Sequence, residues 1–115
     1  MTPPIDAGTL ADLQASTGAD FVAELIETFA EEAPQLLLEL RTAQAEGAGE
    51  RFRRASHALK SNGNTFGALR FAEMARALEI GGLPVDAGPV EALADEFQHA
   101  LAMLRTLAAG GAGRG

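Results

Sequence analysis

Two residues near the middle of this sequence are equipped for chemistry. In the stretch HALKSNGNTFGA, residues 57–68, His57 is one of only two histidines, and Lys60, three positions on, is the only lysine in the chain. An imidazole titrates near neutral pH and serves as a base or as a nucleophile. Residues three and four apart share a face of a helix, so His57 has Arg53 and Arg54 one turn before it and Lys60 one turn after it. Such cations disfavour the imidazolium, which favours a neutral, nucleophilic ring. Ser61, Gly63 and Asn64 in the following turns are small or short and would let a second protein approach the imidazole. Gly63 costs a helix about 1 kcal/mol relative to Ala. Its place on the apolar stripe assigns it to close helix packing, which leaves Ser61 and Asn64 to the access surface.

Other chemistries fit less well. Ser56 adjoins His57, but neighbours on a helix point about 100° apart and cannot pair as nucleophile and base. Glu96 and His99 have the Glu-x-x-His spacing of di-iron bundles. That site needs two such motifs, and the residue three before His57 is Arg54, so no metal is expected. Neither the phosphate-binding G-x-x-x-x-G-K-[ST] loop nor a kinase-type glycine loop occurs, so no nucleotide site is expected. The chain has no cysteine, which excludes disulfides, thiolate metal sites and cysteine nucleophiles.

The elements that must position His57 are helical. Ala and Leu dominate the apolar residues, which form 47% of the 115, while strand-favouring types are scarce. Asp6 is a plausible cap for a short helix carrying Leu10 and Leu13, which breaks at Ser16-Thr17-Gly18. Asp20 can cap a long helix to about Glu46, with Phe21, Val22, Leu25, Ile26, Phe29, Leu36, Leu37 and Leu40 at helical spacing. Pro34 in its middle should kink it without ending it. After the turn Gly47-Ala48-Gly49, a third helix runs from about Glu50 to Thr65 and ends near Gly67. A fourth carries Phe71, Met74 and Leu78 and stops at Gly81-Gly82. Asp86 can cap a fifth, with Val90, Leu93, Phe97, Leu101, Leu104 and Leu107 in a bundle-like rhythm.

These elements predict an all-α domain over residues 1–109, an antiparallel four-helix bundle with a short N-terminal helix, and a flexible glycine-rich tail over 110–115. On the third helix Phe52, Ala55, Leu59, Gly63 and Phe66 fall within about 80° of arc, and His57 lies about 150° from their centre. His57 therefore faces water. His99 lies about 160° from the seam of the last helix and reads as a surface histidine.

The net charge of −7 argues against nucleic acid as a partner. The charge is uneven, since six of the nine basic residues fall between Arg51 and Arg76, around His57. No apolar run approaches the roughly 18 residues needed to span a bilayer, and the N-terminus lacks signal-peptide character. A cytoplasmic protein with no membrane insertion is expected.

His57-Ala58-Leu59-Lys60-Ser61, with Gly67-Ala68 ten residues after the histidine, resembles the motif of the histidine-containing phosphotransfer (HPt) family: H-x-L-K-G/S, five residues, then G-A, on the second long helix of a four-helix bundle. The acidic, proline-bearing helix before it resembles the family's first long helix, and Leu78-Glu79 resembles the Leu-Glu that ends the helix after the motif. The likeness extends from about Asp6 to Leu107. Many members have glycine where this chain has Ser61, which is still small. Some place a glutamine on the following helix that hydrogen-bonds the active histidine. The best-aligned position here holds Glu79, so the partner of the His57 ring stays open.

The resemblance implies that His57 takes a phosphoryl group from a receiver-domain aspartate and passes it to another, in a two-component phosphorelay. It implies that Lys60 stabilises the phosphoryl oxygens, that Arg53, Arg54, Ser61 and Asn64 line the receiver-binding surface, and that Leu59, Gly63 and Gly67 are structural. The chain would be a monomeric phosphotransfer intermediate, not a kinase, with no cofactor. Its partners would be response-regulator receiver domains, including one within a hybrid sensor kinase, and any Mg²⁺ would belong to the receiver. The alternative is an interaction module that keeps the fold and binds receivers without phosphotransfer.

Overall fold

The structure is a computed structural model, and it describes residues 4–112. Five helices follow one another: α1 (Ala7–Thr17), α2 (Ala19–Glu46), α3 (Gly49–Phe66), α4 (Leu69–Gly81) and α5 (Gly88–Ala112). The four long helices pack in a ring, α2 on α3, α3 on α4, α4 on α5 and α5 back on α2, while α1 lies against α2 and α3. This is the expected four-helix bundle with a short leading helix.

The core follows from the spacing of apolar residues. On α2 the buried residues Val22, Ile26, Phe29, Ala33, Leu37, Leu40 and Ala43 repeat every three or four positions through Pro34, which lies inside an unbroken helix. Each long helix places one phenylalanine in a central cluster. Phe29 of α2 lies 5.4 Å from Phe66 of α3, 5.8 Å from Phe71 of α4 and 5.2 Å from Phe97 of α5, ring centre to ring centre. The contacts with Phe71 and Phe97 are edge-to-face, the arrangement ring quadrupoles favour.

Helix ends explain how α3 is held. Gly47 and Gly67 both take left-handed conformations, with φ of 68° and 75°. At each, the next residue's amide reaches back five positions, Ala48 to the Ala43 carbonyl and Ala68 to the Gly63 carbonyl, both 2.8 Å, closing the helix before the chain reverses. Gly67 is also pinned from outside. Its carbonyl accepts the Asp6 amide at 2.7 Å, and a Cβ built on it would lie 2.8 Å from Thr9 Cβ. A Cβ on Gly63 would lie 2.9 Å from the Phe71 ring and 3.2 Å from Ala72 Cβ, so α3 and α4 approach closely there.

Some local expectations need correction. Asp6 stands at the N-cap of α1, but its carboxylate accepts the Thr9 hydroxyl at 2.5 Å and caps no backbone amide. Asp20 does not cap α2, because the helix starts one residue earlier behind Gly18 and Asp20 falls in its first turn. There its charge still favours the positive end of the helix. Phe21 is half exposed, because Val22, one position on, occupies the buried seam and neighbours on a helix point apart. Asp86 stands one residue before the N-cap position of α5, which Ala87 holds, and its Oδ1 accepts the Gly88 amide at 2.8 Å from there. The backbone of α5 continues to Ala112, past the expected start of the tail at 110, and residues 113–115 lie outside the described part.

Side chains also tie α2 to the rest of the bundle. Arg41 reaches Glu91 on α5 at 2.9 Å, Arg105 on α5 reaches Glu27 at 2.6 Å, and Gln44 Nε2 donates to the Pro84 and Asp86 carbonyls. The acidic excess of the first half therefore pairs in part with arginines from later in the chain.

Candidate functional site

The α3 seam buries Phe52, Ala55, Leu59, Gly63 and Phe66, so the opposite face carries His57 into solvent, its side chain 55% exposed. Ser56 falls on the buried side and donates to the Phe52 carbonyl at 2.8 Å, one turn back in its own helix.

The His57 ring is held by a residue from the next helix. Its Nδ1 lies 2.8 Å from Glu79 Oε2. The other oxygen of the same carboxylate accepts Lys60 Nζ, also at 2.8 Å. Glu79 thus bridges the histidine and the lysine. It is well covered, with 15% of its side chain exposed. The Lys60 hydrogen bond holds its carboxyl below the usual glutamate range; desolvation opposes this, and the His57 hydrogen bond adds to it. A carboxylate only accepts, so a neutral ring carries its proton on Nδ1 and its lone pair on Nε2, the nitrogen turned away from Glu79.

This geometry corrects the picture of a ring surrounded by cations. Lys60 is engaged by Glu79, and Arg53 is paired with Glu50 one turn back on α3. The third cation, Arg54, is exposed and lines the groove between α2 and α3 with Leu36, Glu39, Arg51 and Ala55. Ser61 and Asn64 are both exposed. Asn64 joins Lys60, Leu69, Ala72, Glu73 and Arg76 around a hollow of about 150 Å³ between α3 and α4. Leu59 is fully buried, and Gly63 and Gly67 lie in the packing described above.

Glu79 is the site residue whose role the sequence left open. Its distance from His57 along the chain hides a contact that only the packing of α4 on α3 creates. The available signal was its alignment with the position where family members carry glutamine.

The Glu-x-x-His pair on α5 is not preorganised for a metal. His99 is 70% exposed, its Nδ1 is 3.8 Å from Glu96 Oε1, and Glu96 is turned inward toward Arg70 at 3.4 Å. Among the described residues no three metal-ligating side chains cluster.

A helix bundle that offers one oriented imidazole from the middle of a helix, with a cation and a carboxylate beside it, has the parts of a group-transfer carrier. The family model described as the Hpt domain matches residues 24–106, most of the chain and all of the site. The chain belongs to that family, and it is a histidine phosphotransfer domain. Its fold is similar to the crystal structure of histidine-containing phosphotransfer protein B (HptB) from Pseudomonas aeruginosa PAO1. The TM-score is 0.74 at 23% identity, over 100% of this chain and 99% of that one. At that identity the likeness concerns the fold. No curated protein matches the chain.

Proposed function

We propose that His57 is the phosphorylated residue and that it shuttles a phosphoryl group between receiver aspartates. The Nε2 lone pair attacks the phosphorus of an aspartyl phosphate in line. The N–P bond forms as the P–O bond to the aspartate breaks, and the carboxylate leaves with the electron pair. The Nδ1 proton stays in its hydrogen bond to Glu79, whose negative charge balances the positive charge that develops on the ring. In the second half-reaction another receiver's aspartate attacks the same phosphorus, and the N–P electron pair returns to Nε2. The observation that carries this reading is the Glu79–His57 hydrogen bond, which fixes an exposed imidazole with Nε2 outward.

Lys60 sits one turn from His57 and supplies positive charge for the phosphoryl oxygens, which carry about two negative charges. Arg53, Arg54, Ser61 and Asn64 form the receiver-facing surface. The site is complete within one chain, which supports a monomer. A cytoplasmic location is part of the same reading, and no described helix is long and apolar enough to cross a membrane.

The test is transfer from a panel of receiver domains phosphorylated with acetyl phosphate. Acid-labile, alkali-stable label on the wild-type chain and none on His57→Gln is the expected result. Receiver binding with no label on the wild type would replace this reading with that of a docking module.

A further inference from the structure

The ion pairs of the bundle leave a pattern around His57. Of the eight described basic residues, Arg41, Arg51, Arg53, Lys60, Arg70 and Arg105 each meet a carboxylate within 4 Å. Among the described residues Arg54 and Arg76 are the two that do not, and both flank His57. Arg54 precedes it by three residues on α3 and opens onto the groove toward α2. Arg76 stands three residues before Glu79 on α4 and shares the hollow with Lys60 on the other side. Both side chains are exposed. Glu39, in the Arg54 groove, is held by Arg51 at 2.7 Å. Glu50 is paired with Arg53 and also lies in the field of Arg54, and Glu73 lines the hollow with Arg76.

We infer that Arg54 and Arg76 are the two docking cations of this protein, bracketing His57 to receive carboxylates on the rim of the partner's phosphorylation site. The inference rests on the proposed receiver-to-histidine transfer and adds the partner's chemistry, an acidic rim with carboxylates on two opposite sides of its phosphoaspartate. The whole chain carries a net charge of −7, so an acidic partner is repelled at long range. Two guanidiniums beside the histidine, neither in an ion pair within 4 Å, supply a local field of the opposite sign and a planar fork for each carboxylate. Rim charges of this kind act on the association rate and its salt dependence more than on dissociation.

The experiment measures stopped-flow association with the receiver that transfers fastest, loaded with Mg²⁺ and beryllofluoride, across a salt series. The chains compared are wild type, His57→Gln, Arg41→Ala, the double variant Arg54→Ala/Arg76→Ala and the double variant with lysine at both positions. The alanine double variant should associate about tenfold more slowly at low salt and lose most of the salt dependence. Lysine at both positions should restore much of the rate, while Arg41→Ala stays near wild type. Helical circular dichroism verifies that each variant is folded. An unchanged rate and salt slope in the alanine double variant, with wild-type transfer intact, overturns this inference alone. A wild-type chain that accepts phosphate from no receiver overturns the parent reading and this one with it. His57→Gln should bind like wild type and accept nothing, which separates docking from chemistry.

Discussion

At the scale of single residues, the site turns on one carboxylate shared by two partners. Glu79 fixes which nitrogen of His57 faces out and at the same time holds the Lys60 ammonium. Replacing it by Gln keeps an acceptor for Nδ1–H and removes the charge, whereas Ala removes both. Transfer to the Gln variant should stay within about tenfold of wild type, and the Ala variant should lose about a hundredfold. Quench-flow transfer from a phosphorylated receiver measures both, and equal losses would assign Glu79 a packing role only. Lys60→Ala should slow transfer while leaving the helical signal and melting temperature close to wild type. Unchanged kinetics in that variant would remove the lysine from the mechanism.

The same carboxylate makes a prediction about stability. Its folded pKa lies below the ordinary 4.5, so the folded state favours the ionised form. That contribution is fully present above pH 4.5 and is lost as pH falls below it toward the folded value. The stability difference between wild type and Glu79→Gln in urea should therefore shrink as pH falls below about 4.5. A difference that grew as pH fell from 4.5 would contradict the assignment.

At the scale of elements, the two glycines of the motif do different work. Gly63 admits the Phe71 ring and Ala72 from α4, and so brings Glu79 within reach of His57. Gly67 ends α3 in a left-handed turn at φ 75° and is capped from outside by Asp6 and Thr9. Gly67→Ala should cost at least about 1–2 kcal/mol from the backbone alone, with more from the clash at Thr9. Urea denaturation reads the loss, and an effect below the lower figure would mean that α1 moves aside freely. The helices and the exposure of His57 were legible because the periodicity on α3 is clean, from Phe52 to Phe66. The end residues were less so. Asp6 and Asp20 are good cap types whose positions were decided by Gly18 and by the Thr9 hydroxyl, contacts that residue-type preference does not contain. The Glu79 bridge depended on the register of α4 against α3, which no single-helix pattern encodes.

At the scale of the whole molecule, the charges balance in an uneven way. The net −7 is self-repelling, while Glu27–Arg105, Glu91–Arg41 and Glu39–Arg51 hold neighbouring helices together at exposed positions. Added salt relieves the first and weakens the second. The melting temperature should therefore move by only a few degrees as NaCl rises, whereas the inferred association with an acidic receiver should slow strongly over the same range. A large fall in melting temperature with salt would give the surface pairs more weight than exposed pairs ordinarily carry. The uneven charge was plain in the sequence as a basic window around His57. Which of those cations were already spoken for was not, since each pairing is a matter of rotamer and register.

The Asp6–Gly67 hydrogen bond also bears on how the chain comes into being. A ribosome releases α1 and then α2, on which α1 packs, but the carbonyl that receives the Asp6 amide emerges about 60 positions later, at the far end of α3. Through that interval the nascent α1 can meet α2 while its tie to α3 is still unmade. The last tie of α1 to the bundle is therefore made late, and the turn that closes the phosphotransfer motif is also the one that pins the start of α1.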